Sequence, residues 1–136
     1  MMSRTSPKQA VYDLLAPYSP EVRNLALATR KYLLDQIPGA LEQADAKANV
    51  IGYGFGSRYT DMVCALMPTK AGITLGIGWA TKLPDPEKLL EGTGKVHRHV
   101  KIKSKSDLQA SALKALLKAA RKATLARRER KPSDRA

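Results

Sequence analysis

The sequence predicts an α+β domain: an antiparallel sheet flanked by helices, with a long C-terminal helix. Three observations predict it. Apolar residues recur at helical spacing before Pro38 and again after Ser106. From Met62 to Trp79 the pattern changes to an apolar run followed by period-two alternation. Strands grouped between helices, rather than alternating with them, favour an antiparallel sheet over a doubly wound one.

The elements follow in order. Ser6-Pro7 marks a helix start, with Ser6 as N-cap and Pro7 at the first helical position. Val11, Leu14, Leu15 and Tyr18 give it an apolar side, and Pro17 ends it. Ser19-Pro20-Glu21 repeats the signal, with an acid placed for the helix dipole. Val22, Leu25, Ala26, Thr29, Leu33 and Ile37 follow at helical spacing, and Pro38-Gly39 stops the helix.

Asp45 to Tyr53 is expected as a first strand, and Met62 to Met67 as a second. Pro68 to Gly72 reads as a turn. Ile73, Leu75, Ile77 and Trp79 alternate with Thr74, Gly76, Gly78 and Ala80, which predicts a hairpin with one large-residue face and one small face. Gly76 and Gly78 leave room for a close approach, by a packed helix or a ligand. Glu87 to Leu90 is expected as one helical turn. Val96, Arg98, Val100 and Ile102 alternate with His97, His99, Lys101 and Lys103, another strand. Ser106 with Gln109 makes a capping box for the last helix. Its apolar side is expected through Leu108, Ala112, Ala115, Leu116, Ala119 and Ala123. Residues 1–126 are read as one domain and 127–136 as a basic disordered tail.

Composition agrees with one soluble domain. The 136 residues are 43% hydrophobic and 26% charged, ordinary for a globular chain of this size. No apolar run approaches the ~20 residues of a membrane span, and Met1 to Lys8 carries no apolar stretch, so neither a membrane partner nor a secretory signal is expected. The single cysteine, Cys64, excludes an intramolecular disulfide and suggests a cytoplasmic setting.

Charge is uneven. Residues 1–94 carry 10 basic and 9 acidic side chains; residues 95–136 carry 14 and 3. That asymmetry can mark a contact with nucleic acid or an anionic membrane surface, while the plainer reading is a solvated helix face with a basic disordered tail. Lys114, Lys118, Arg121 and Lys122 would form a stripe along the last helix, able to track phosphates without reading sequence. No aromatic residue lies beyond Trp79, so base stacking from this region is not expected.

Other motifs point to binding more than to catalysis. Gly92-Thr93-Gly94-Lys95 lacks the preceding glycine, the following hydroxyl and the helix that a nucleotide phosphate loop needs. The amides of Gly92 and Gly94, with Lys95 and Arg98 and with His99 as accessory donor, could still hold an anion; a plain turn uses the same glycines. Gly52 to Gly56 has the wrong spacing for a dinucleotide fingerprint and reads as a turn with aromatic anchors. His97 and His99 share a strand face, but a catalytic zinc site wants a third protein ligand. Cys64 sits in an apolar run, as a buried inert thiol does. Asp85 and Glu87 look like turn chemistry. No nucleophile set stands out, so an uncharacterised enzyme ranks as the last reading, and no cofactor or resident metal is implied.

Several pieces carry a resemblance. They are Tyr53-Gly54-Phe55-Gly56, the hairpin Met62 to Gly78, Leu83-Pro84-Asp85-Pro86, Leu89-Leu90-Glu91-Gly92-Thr93-Gly94-Lys95 and Arg98-His99-Val100-Lys101. Ile37-Pro38-Gly39 with Glu42 also fits. Over roughly residues 8–120 the chain resembles the YdhG-like family, a domain of unknown function (DUF 1801). The resemblance implies a small α+β domain with helices flanking an antiparallel sheet, and no established reaction. Some relatives are described as frataxin-like iron chaperones. That role wants an acidic face, whereas Asp13, Glu21, Asp35, Glu42, Asp45 and Asp61 are scattered along this chain. The resemblance and the charge together predict a cytoplasmic binding or accessory protein. Its partner would be an anionic ligand or a protein, or nucleic acid through the last helix.

Overall fold

Two helices lead the chain, each beginning where a serine precedes a proline. A computed structural model describes residues 6–56, 58–79, 83–85, 88–92 and 98–129. Helix α1 spans Pro7–Leu15 and α2 spans Pro20–Gln36. Ser6 Oγ accepts from the Gln9 N–H at 3.1 Å, and Ser19 Oγ from the Val22 N–H at 3.3 Å. Each bond satisfies an amide that has no partner within its helix.

The sheet is a five-stranded antiparallel meander: β1 Leu41–Asp45, β2 Val50–Gly54, β3 Met62–Thr69, β4 Gly72–Ile77 and β5 Arg98–Ile102, in spatial order β1-β2-β3-β4-β5. The single strand expected from Asp45 to Tyr53 is instead a hairpin. The Asp45 carboxylate accepts from the Lys47 and Ala48 amides at 3.1 and 3.2 Å, and Asn49 takes φ 55°. An Asp that bonds its own following backbone and an Asn in the left-handed region make a turn without glycine.

Register places Ile51, Leu66, Leu75 and Val100 in one row, and Tyr53, Cys64 and Ile77 in another. All seven are buried. Helix α2 packs on β3 and β4, and α3 (Ser111–Glu129) on β3, closing a single apolar core. A large apolar side chain removed from water contributes about 1.5–3 kcal/mol, so these rows dominate the stability of the sheet.

The opposite face holds the small residues. Gly52, Ala65 and Gly76 share one register row. The close approach expected at Gly76 is made by Met67: a Cβ there would stand 3.0 Å from Met67 Cε. Met62 covers Gly52 in the same way. Strand β4 ends at Ile77, and Gly78 and Trp79 form a turn in which Trp79 has φ 60°. The alternation expected through Trp79 therefore overruns the strand.

The helical turn expected over residues 87–90 is not formed by Lys88–Leu90, and Glu87 lies outside the described residues. The Asp85 carboxylate instead accepts from the Leu89 and Leu90 amides at 2.8 and 2.9 Å.

The last helix also starts differently. Ser104 is the N-cap of a 3-10 turn over Lys105–Gln109, where Asp107 Oδ2 accepts from the Lys103 and Ser104 amides at 2.7 and 3.1 Å. Helix α3 begins two residues later at Ser111, so Ser106 does not cap it. Its buried side is Leu113, Leu116, Leu117, Ala120 and Thr124, rotated from the alanine-rich side expected. Leucines bury more apolar area than alanines, and that area sets the helix rotation. The helix passes the expected domain edge at 126 and reaches Glu129; residues 130–136 lie outside the described residues.

Candidate functional site

The sequence-predicted anion site is partly assembled. Glu91 pairs with His99 across the free edge of β5: the Glu91 N–H donates to the His99 carbonyl at 2.7 Å, and the His99 N–H to the Glu91 carbonyl at 3.0 Å. This bridge brings Gly92 against the His99 ring. Gly92 has φ 106°, and a Cβ there would stand 3.2 Å from His99 Cε1 and 3.3 Å from Nδ1. The φ favours glycine here, and a Cβ would press on the ring as well. Arg98 Cδ lies 3.9 Å from the same point. Gly92, Arg98 and His99 thus come together, with Glu91 beside them; Gly94 and Lys95 lie outside the described residues.

The second predicted surface is the exposed side of α3. Lys114, Lys118 and Lys122 are exposed, one helical turn apart, and so stand one above another over about 12 Å. Among the described residues none of the three takes part in an ion pair. Arg121 is half-buried, and its Nε is buried without a hydrogen-bond partner. It serves this surface less directly than its spacing implies.

Two polar assemblies were not predicted. Asp61, 4% exposed, receives Arg128 Nη1 at 2.8 Å on Oδ1, and the Arg58 N–H at 3.2 Å on Oδ2. The glycines of the Gly52 to Gly56 run make room for it. A Cβ at Gly54 would strike the Asp61 backbone, and one at Gly56 its carboxylate. Nearby, the Arg127 guanidinium stacks 4.9 Å from the Trp79 ring centroid. The fold therefore brings an aromatic ring to the end of the basic helix, from a position 48 residues away in sequence.

The other assembly ties α2 to the sheet. Arg30 donates from Nε and Nη2 to Glu42 at 2.7 and 3.0 Å, and the Tyr53 hydroxyl donates to Glu42 Oε2 at 2.7 Å. Burial, then the Glu42 carboxylate, pushes the Tyr53 phenol far above its ordinary value, so it stays a donor. Burial pushes the Cys64 thiol up to about 12, which leaves it unreactive at neutral pH.

Among the described residues, no group of three His, Cys, Asp or Glu side chains could hold a metal ion. His97 lies outside that set. Among the described residues, too, no helix is long and apolar enough to cross a membrane. Comparison with family models, curated proteins and solved structures finds no match to this chain.

Proposed function

We propose that this chain is a non-enzymatic, cytoplasmic binding protein of the YdhG-like type, and that its main contact is between α3 and a nucleic-acid backbone. One observation carries the reading: Lys114, Lys118 and Lys122 stand exposed in line on α3, with no ion pair among the described residues. Aligned cations release counterions when they meet phosphates, which gives salt-dependent, sequence-independent affinity. The test is fluorescence anisotropy of labelled DNA and RNA at low and moderate salt. The intact chain is compared with the triple variant K114Q/K118Q/K122Q. The side-chain variant leaves buried Thr124 and the Arg127 and Arg128 contacts in place. Absence of binding at low salt ends the reading.

A second reading places a small anion at Gly92, Arg98 and His99; Gly94 and Lys95, which the sequence adds to that site, lie outside the described residues. The packing of the His99 ring on Gly92 supports it. The neighbouring Glu91 carboxylate opposes it electrostatically. Phosphate titration followed at the His99 ring signals tests it, and unmoved signals reject it.

A further inference from the structure

A different cationic site lies at the far end of the sheet, around the β3–β4 turn. Lys70 comes from that turn, Lys103 directly follows β5, and Lys105 opens the 3-10 turn after it. All three line one groove of about 350 Å³, together with Asn24 and Glu21 of α2. The groove is shaped by a close backbone contact: Gly72 lies so near the Ile102 carbonyl that a Cβ would stand 2.8 Å from that oxygen. Lys103 also lines the adjoining groove on the other side of Gly72, where Lys101 joins it.

The charges are unbalanced. Glu21 is the one acid among the described residues that line the first groove. The Asp107 carboxylate nearby is occupied by the amides of Lys103 and Ser104. None of the four lysines is in an ion pair among the described residues. Three lysines lining one groove put like charges near one another, and a multiply charged anion between them relieves that repulsion. The volume suits a small ligand rather than a polymer.

We propose that this groove binds a small phosphate-bearing anion carrying at least two phosphate charges, seated between Lys70, Lys103 and Lys105. The site is separate from the α3 lysines and does not depend on them.

The test uses the full chain and inorganic pyrophosphate at constant ionic strength, followed by amide NMR shifts. Saturable shifts at Lys70–Gly72 and Lys103–Lys105 are expected. K70Q and K103Q should each weaken binding about tenfold, the loss of one charge-assisted contact. E21Q should tighten it, which a merely structural role for Glu21 would not do. K114Q/K118Q/K122Q should leave it unchanged, so failure here and failure of the α3 reading are told apart. Shifts that follow ionic strength alone overturn the proposal, as does binding insensitive to K70Q and K103Q. So does binding of vesicles containing anionic lipid through these lysines without binding of pyrophosphate, which makes the ligand a membrane surface.

Discussion

Arg128 Nη1 lies 2.8 Å from Asp61 Oδ1, and this contact pins the last turn of α3 to the start of β3. The acid is almost fully buried, with a side chain 5% exposed, while that of the arginine is 37% exposed. Thr124 Oγ1 reaches the Met62 carbonyl at 3.4 Å beside it. The end of the basic helix is therefore structural, and the lysines before it are the part left to solvent.

The first prediction follows from that asymmetry. Asp61→Ala removes the Arg128 partner and the acceptor of the Arg58 amide, and should cost about 2 kcal/mol. Arg128→Ala leaves the buried Asp61 carboxylate without its closest cation, and should cost more, about 3 kcal/mol. Urea denaturation measures both. Equal midpoints for the two variants would contradict the ranking.

Gly54 and Gly52 should tolerate alanine differently. At Gly54 the new Cβ strikes the Asp61 and Met62 backbone; at Gly52 it meets the flexible tip of Met62. Gly54→Ala should lose roughly 2–3 kcal/mol and Gly52→Ala under about 1 kcal/mol, because a methionine end can move and a strand cannot. Thermal unfolding of the two variants decides it.

Cys64 should make the fold sensitive to alkali. Its thiol is raised from 9.0 to about 12 by burial. The unfolded chain therefore releases this proton first as pH rises. Stability from this group is full below pH 9.0 and is lost progressively toward about 12. The slope approaches about 1.4 kcal/mol per pH unit once the unfolded thiol is ionised. Tyr53, also raised, adds to the loss only above its ordinary value of 10.0. Cys64→Ala should flatten the curve between these two values. An unchanged slope there would show that the thiol does not carry it.

The lysine row should show itself in the salt dependence of nucleic-acid binding. Replacing Lys114, Lys118 and Lys122 by glutamine should reduce the slope of log K against log salt by roughly two to three. Intrinsic Trp79 emission reports the integrity of the helix end in the same samples, since this is the chain's single tryptophan and Arg127 stacks on it.

The features legible from the chain alone are local. Ser6-Pro7 and Ser19-Pro20 start helices because an N-cap hydroxyl and a preset φ act within one turn of chain. The β3–β4 hairpin and β5 are legible because alternation reports which face is buried. The β1–β2 hairpin was missed, although Asp45 and Asn49 carried its signal: an acid bonding to the amides after it and an asparagine four residues on. The alanines of α3 misled because periodicity alone does not say which of two apolar stripes buries more area.

Contacts between segments far apart along the chain come from the packing of the elements. Arg127 finds Trp79, Arg128 finds Asp61, and Lys70 comes to line the same groove as Lys103 and Lys105. Such pairings arise from how the elements pack, and side-chain spacing within one element carries no record of them. The same packing turned Gly76 toward Met67 and Gly92 toward His99. Sequence marked Gly76 as a place of close approach and Gly92 as an amide donor or turn glycine, and only the folded chain identified what stands against each.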